Sequence, residues 1–281
     1  MASVASADGT VVAYAVAGSG PGLVVVPGTL RTARHYRALA GHLAGSYTVY
    51  TVDRRGRGCG GPPRSAYSMA RECEDMLAVL DRTRATALFG HGYGGLVALE
   101  VALRHPLKKL AVYEPGLSVS GSFPDGWLPA FQHALARDRP GEAMAILAKG
   151  TAGTGTALGS LPTPLLAVLM RGAMMLMRGA MACPQARESA GLMPTVPAEV
   201  REIRMLDSTV HRYRDITADT LVLIGERGPA YLHRPARVLE STVPRARMVW
   251  LPGLSHSAPD RQAPRAVADQ LLRFLTSPVS S

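Results

Sequence analysis

The chain has 281 residues, of which 47% are hydrophobic, 19% charged and 5% aromatic. That length can bury one large core, or a core with a small lid, and the composition excludes a disordered chain. A net charge of +10 raises nucleic acid or an anionic membrane as a partner. However, the basic residues are scattered, with Arg54-Arg55 and Lys108-Lys109 the only doublets, and neither partner is expected.

Cys59, Cys73 and Cys183 are odd in number and lack metal-binding spacing, which fits a reducing compartment and predicts no metal site. The opening residues have neither the basic nor the apolar region of a signal peptide. The most apolar run, 165–181, is interrupted by Arg171 and Arg178 and is too short to span a bilayer. A cytoplasmic protein is expected.

Val4 to Val16 reads as two short strands folded about Asp8-Gly9, a hairpin turn pair. The run GLVVVPG at 22–28 is β-branched and unbroken until Pro-Gly, the pattern of a strand buried on both faces. A helix is predicted from about Thr32 to Ala44, then a strand at 47–53 closed by the basic, glycine-rich loop Arg54 to Gly61. Ser68 is a candidate N-cap for a helix running to about Arg82. A strand over Ala85 to Phe89 leads through a glycine turn into a helix ending near His105-Pro106, and another strand covers 109–116. This alternation argues for a parallel sheet covered on both faces. It stops from about 117 to 210, where only helical patterns are found. It resumes with a strand at 220–226, a helix over about 230–242, a strand at 246–253 and a last helix from roughly Ala263 to Phe274. The core is therefore expected at 1–116 and 211–281, with 117–210 a helical cap.

The glycine turn, Gly90-His91-Gly92-Tyr93-Gly94-Gly95, has two readings. Gly90, Gly92 and Gly95 spell a dinucleotide fingerprint, with Glu114 about twenty residues on as the acid. Against this, a dinucleotide fold normally begins at its fingerprint strand, whereas here a hairpin and two further strands come first. No cofactor is expected. Three other loops carry a second pattern: Pro27-Gly28-Thr29, Asp53 to Gly58, and Leu251-Pro252-Gly253-Leu254-Ser255-His256.

Together these loops resemble the α/β-hydrolase superfamily over essentially the whole chain. The resemblance implies a mostly parallel eight-stranded sheet flanked by helices, with a helical lid. In that family the turn is a G-x-Ser-x-G nucleophile elbow, and the position matching the serine is Gly92. The catalytic histidine matches His256. The usual acid sits in a Gly-x-x-Asp loop, matched by Gly225-Glu226-Arg227-Gly228, so that position holds no acid. Some members place the acid after the strand following the nucleophile helix, which is Glu114 here. Glu226 and Asp207 are lesser candidates. The N–H groups of Tyr93 and Thr29 would form the oxyanion hole.

Without a serine there is no acyl-enzyme. What the resemblance leaves is a histidine base, fixed in one tautomer by Glu114, facing an anion hole over the space above Gly92. That suits proton-transfer chemistry (cyclisation, ring opening, elimination or C–C cleavage) on a small apolar metabolite, as in natural-product biosynthesis. Three alternatives stay open: hydrolysis by a His256-activated water, a Ser→Gly variant of a serine hydrolase, and a non-catalytic ligand binder. Candidate pocket residues are Gly28, His91, Trp127, Met170, Met174 and Met177. The methionines recur with Met181 on one helical face, as polarizable lining for irregular apolar ligands; Phe123 is a weaker candidate. Arg54, Arg55 and Arg57 are expected to shape the sheet edge around Asp53, and Cys59 has no histidine partner nearby. Oligomeric state is not legible.

Overall fold

A computed structural model describes residues 1–151, 165, 166, 168, 169, 172 and 184–279. The hairpin strands β1 (Ala2–Ala5) and β2 (Val11–Ala17) are followed by β3 (Gly22–Val26), β4 (Thr48–Asp53), β5 (Ala87–His91), β6 (Lys109–Tyr113), β7 (Asp219–Gly225) and β8 (Ala246–Leu251). They form one sheet in the order β1-β2-β4-β3-β5-β6-β7-β8. The β1–β2 and β2–β4 pairings are antiparallel and all others parallel. The turn between β1 and β2 is closed by Asp8, whose Oδ1 accepts from the Thr10 N–H at 3.0 Å.

The unbroken apolar strands follow from burial on both faces. In β3, Val24 and Val26 enter one hydrophobic cluster while Leu23 and Val25 enter the other. The first cluster lies under α2 (Met69–Thr83), α3 (Tyr93–Ala102) and α8 (His233–Thr242); the second lies under α1 (Arg37–Leu43) and α9 (Pro264–Leu275). Ser68 caps α2 as expected, its hydroxyl accepting from the Arg71 N–H at 3.3 Å. The helix predicted from Thr32 opens with a 3₁₀ turn, Ala33–Tyr36, before α1.

Between β6 and β7 the described residues form α4 (Leu128–Ala136), α5 (Pro140–Thr151), α6 (Pro184–Gly191) and α7 (Val196–Met205). Phe131, Ala134, Ala143, Leu147, Met193, Val196 and Val200 make a third apolar cluster, which reaches the core through Leu30. These helices carry their own small core and sit over the loops that leave the C-terminal ends of the strands. Met170, Met174, Met177 and Met181 lie outside the described residues. Among the described residues no helix is long and apolar enough to cross a membrane.

Candidate active site

The parallel strands end at one edge, and the loops leaving β3, β5, β6, β7 and β8 meet there. The β5–α3 turn is made by Gly92, whose φ of 54° and ψ of −122° favour glycine strongly. Its carbonyl accepts from the N–H groups of Gly95 and Gly116 at 2.9 and 2.8 Å, which pins the turn to the chain after β6. Tyr93 opens α3, so its N–H belongs to the helical first turn, whose donors have no intrahelical acceptor.

His256 faces this turn. Its Nδ1 lies 2.7 Å from Glu114 Oε2. A carboxylate only accepts, so Nδ1–H donates and Nε2 carries the lone pair. A Cβ placed on Gly92 would stand 3.2 Å from that Nε2. Glu114 is fully buried, and its Oε1 accepts from the Gly225 N–H at 2.9 Å. Its φ of 43° is uncommon for a side chain of this size. The two lesser acid candidates lie elsewhere. Glu226 accepts from the Gly253 N–H at 2.8 Å, and Asp207 is held by the Ser118 hydroxyl and the Gly121 N–H. Position 228 holds no acid, and the Glu114 carboxylate fills the space that a Cβ there would enter.

A cavity of about 500 Å³ opens above Gly92, lined by Thr29, Tyr93, Trp127, Leu147, Val200 and His256 among others. A family model for the alpha/beta hydrolase family matches residues 23–270. The chain belongs to that family. A solved α/β hydrolase from Sphaerobacter thermophilus is 31% identical, with a TM-score of 0.79, covering 98% of this chain and 100% of its own. An esterase from a Rhodococcus species (22%, TM-score 0.73, 99% of each chain) and an enol-lactonase from Burkholderia xenovorans (20%, TM-score 0.71, 98% and 100%) share the fold. Among curated relatives, an uncharacterised protein of Mycobacterium tuberculosis is 35% identical over 97 residues, 34% of this chain and 28% of that protein. The uncharacterised hydrolase YraK of Bacillus subtilis is 32% identical over 97 residues, 33% and 36% of the two lengths.

Within this α/β-hydrolase fold two of the three glycines that mimic a dinucleotide fingerprint are packed against protein. A Cβ on Gly90 would overlap the Gly94 carbonyl oxygen, and one on Gly95 would stand 3.0 Å from Pro115. They allow α3 to sit hard against β5 and the chain after β6.

His91, beside the turn, is buried between two loops of the site. Its Nε2–H donates to the His256 carbonyl at 2.8 Å, which leaves Nδ1 to accept from the Tyr36 hydroxyl at 2.6 Å. The Tyr36 oxygen in turn accepts from the Gly28 N–H at 3.1 Å. His91 therefore ties the His256 loop to the Pro27–Thr29 loop without lining the cavity, and the expected contact of His91 and Gly28 with substrate gives way to this bridging role. Burial, then the neighbouring His256 and Arg31 charges, hold the His91 imidazole well below its ordinary value of 6.5. Below about pH 6.5 the unfolded chain takes up this proton and the folded chain does not, so stability falls with acidity by about 1.4 kcal/mol per pH unit. Buried Asp75, lifted to about 6 by desolvation, pulls the opposite way, so the term must be read as a difference. Urea unfolding from about pH 5 to about pH 8 should show the advantage of wild type over His91→Gln shrinking as pH falls; a constant difference refutes the neutral, bridging histidine.

The basic loop after β4 departs most from expectation. Asp53 does organise it, accepting from the Ala33 and Cys59 N–H groups at 2.7 and 2.9 Å. Arg55 pairs at the sheet edge with Asp75 at 2.7 Å and Asp8 at 3.2 Å. Arg54 and Arg57 instead turn inward and clasp Glu199 of α7. Arg54 also pairs with Glu72 at 2.9 Å, Arg57 donates to the Gly28 carbonyl at 3.2 Å, and Thr29 Oγ1 donates to Glu199 Oε2 at 2.6 Å. All four charged side chains are buried. Burial alone would push the Glu199 carboxyl up, but the two arginines and the Thr29 hydroxyl outweigh it and hold it below the ordinary value. Glu199, Arg54, Arg57 and Tyr36 are site residues that sequence reasoning missed. Partners 145 residues apart leave no spacing signal.

Proposed function

We propose that this chain is a cofactor-independent enzyme in which His256 moves a proton on a small, largely apolar substrate held above Gly92, with no covalent intermediate on the protein. One observation carries the reading: His256 keeps its 2.7 Å partner Glu114, while its other nitrogen faces the place, 3.2 Å away, where Gly92 offers no side chain. A base so oriented can take a proton from a bound molecule within hydrogen-bond reach. The N–H groups of Tyr93 and Thr29 are suited to hold the oxyanion that forms. Residues 117–210 act as the cap that closes over the substrate and excludes water, with the core at 1–116 and 211–281.

A second reading is favoured by the neighbours described as esterase and enol-lactonase: His256 activates a water that fills the space a serine would take. Isotopes separate the two. Turnover of enolisable lactones in D₂O should place deuterium on the α-carbon faster than buffer alone does, with the incorporation lost in His256→Ala. Turnover in H₂¹⁸O that labels the product carboxyl supports the water mechanism instead. Product formed without either label, or at an equal rate in His256→Ala, defeats both.

A further inference from the structure

The charges around the cavity are distributed unevenly. Its acidic lining groups, Glu114 and Glu199, are already engaged: the first by His256 and the Gly225 N–H, the second by Arg54, Arg57 and Thr29. Its cationic lining groups are Arg31, Arg227 and Arg261. They come from three loops that surround His256: Arg31 follows the Pro27–Thr29 loop, Arg227 follows β7, and Arg261 lies in the turn after His256 itself.

Arg31 is fixed from behind. Its Nε donates to buried Asp260 at 2.5 Å and its Nη1 to the Leu30 carbonyl at 3.3 Å, while Nη2 has no partner among the described residues. Arg227 and Arg261 are exposed, and among the described residues their side chains make no hydrogen bond or ion pair. Apolar lining comes from the segment between β6 and β7: Phe123 and Trp127 before α4, Leu147 of α5, and Val196, Val200 and Ile203 of α7. A concave mouth that carries two cations without a protein partner, Arg227 and Arg261, focuses positive potential into the cavity, and a guanidinium's planar fork matches a carboxylate in two parallel hydrogen bonds.

We infer that the cavity takes a carboxylate-bearing amphiphile, its carboxylate held by Arg31, Arg227 and Arg261 beside His256 and its apolar body laid against the Phe123–Trp127–Leu147 wall. The inference rests on the cavity being the substrate site but not on what His256 does there. It narrows the substrate class to molecules with an anionic end, and it orients them, since the reacting atom must lie between that end and the apolar tail.

The test is binding, read by calorimetry without turnover, using octanoate and its neutral, length-matched analogue octanamide. Octanoate should bind about tenfold more tightly than octanamide. The exposed pair Arg227→Gln/Arg261→Gln should remove that preference and leave octanamide affinity unchanged. Arg227→Lys/Arg261→Lys, which keeps the charge, should retain part of it. Equal affinity for the acid and the amide, no measurable octanoate binding, or a preference that survives the glutamine pair each overturns the proposal. Because binding is read without turnover, failure of the proton-transfer reading leaves this result standing, and the reverse.

Discussion

Gly92→Ser is expected to give the protein hydrolysis of p-nitrophenyl butyrate, with a burst of one acyl group per chain before steady state. The geometry supplies what a serine at this turn would need: an Nε2 lone pair beside the new Cβ, an acid behind the ring, and a helical first-turn N–H from Tyr93. In serine hydrolases removal of the nucleophile costs on the order of 10⁶ in kcat. Only part of that is regained here, because two strains oppose the new side chain. A φ of 54° in a non-glycine residue costs about 1–3 kcal/mol, and at 3.2 Å the imidazole must give way by a few tenths of an ångström. A gain of about 10²–10³ in rate over wild type is the expected outcome. Gly92→Ala carries the same strain without a hydroxyl and should show no gain; Gly92→Ser/His256→Ala should lose it. A serine variant no faster than the alanine variant means that these groups do not converge on one reacting carbon.

The largest stability effect is expected at Glu199. Replacing it by leucine leaves Arg54 and Arg57 buried without their shared carboxylate, and breaking a buried pair in this way costs about 3–5 kcal/mol. The exposed pair Arg204–Asp125, 2.7 Å apart but with Arg204 63% exposed, gives the comparison: Asp125→Ala should cost less than about 1 kcal/mol. Urea unfolding of the two variants decides the matter. A Glu199→Leu variant as stable as Asp125→Ala would mean the arginines find other partners. Replacing Arg57 and Glu199 together by apolar residues, which leaves Arg54 paired with Glu72, should recover part of the loss, since much of it comes from stranded charge.

Where sequence reading succeeded, the signal was local. The β-branched run at 22–26 and the alternation of strand and helix reflect periodicities that packing imposes on neighbouring residues, and the strands appear within a few residues of their expected ends. Gly92, His256 and Glu114 could be singled out because each sits in a short loop of recognisable chemistry after a strand. The buried charges could not. Arg54 and Arg57 read as edge residues because nothing near them in the chain calls for an inward turn. Their partner, Glu199, lies in an unremarked helix whose placement depends on the whole tertiary fold. His91 was legible as a residue of the glycine turn but read as pocket lining, because Tyr36, which completes its bridge to Gly28, was hidden inside a helix start.

The Glu114 carboxylate occupies the space that a side chain at position 228 would enter, so the two addresses for the acid compete for one volume. A lineage moving the carboxylate from one strand end to the other one substitution at a time passes through an intermediate in which Glu114 is displaced or the acid is absent. Homologous chains with glutamate at the first address should therefore carry a residue without a side chain at the second. In an alignment the two columns should change together, and a laboratory recombinant that mixes them should fail to assemble the pair.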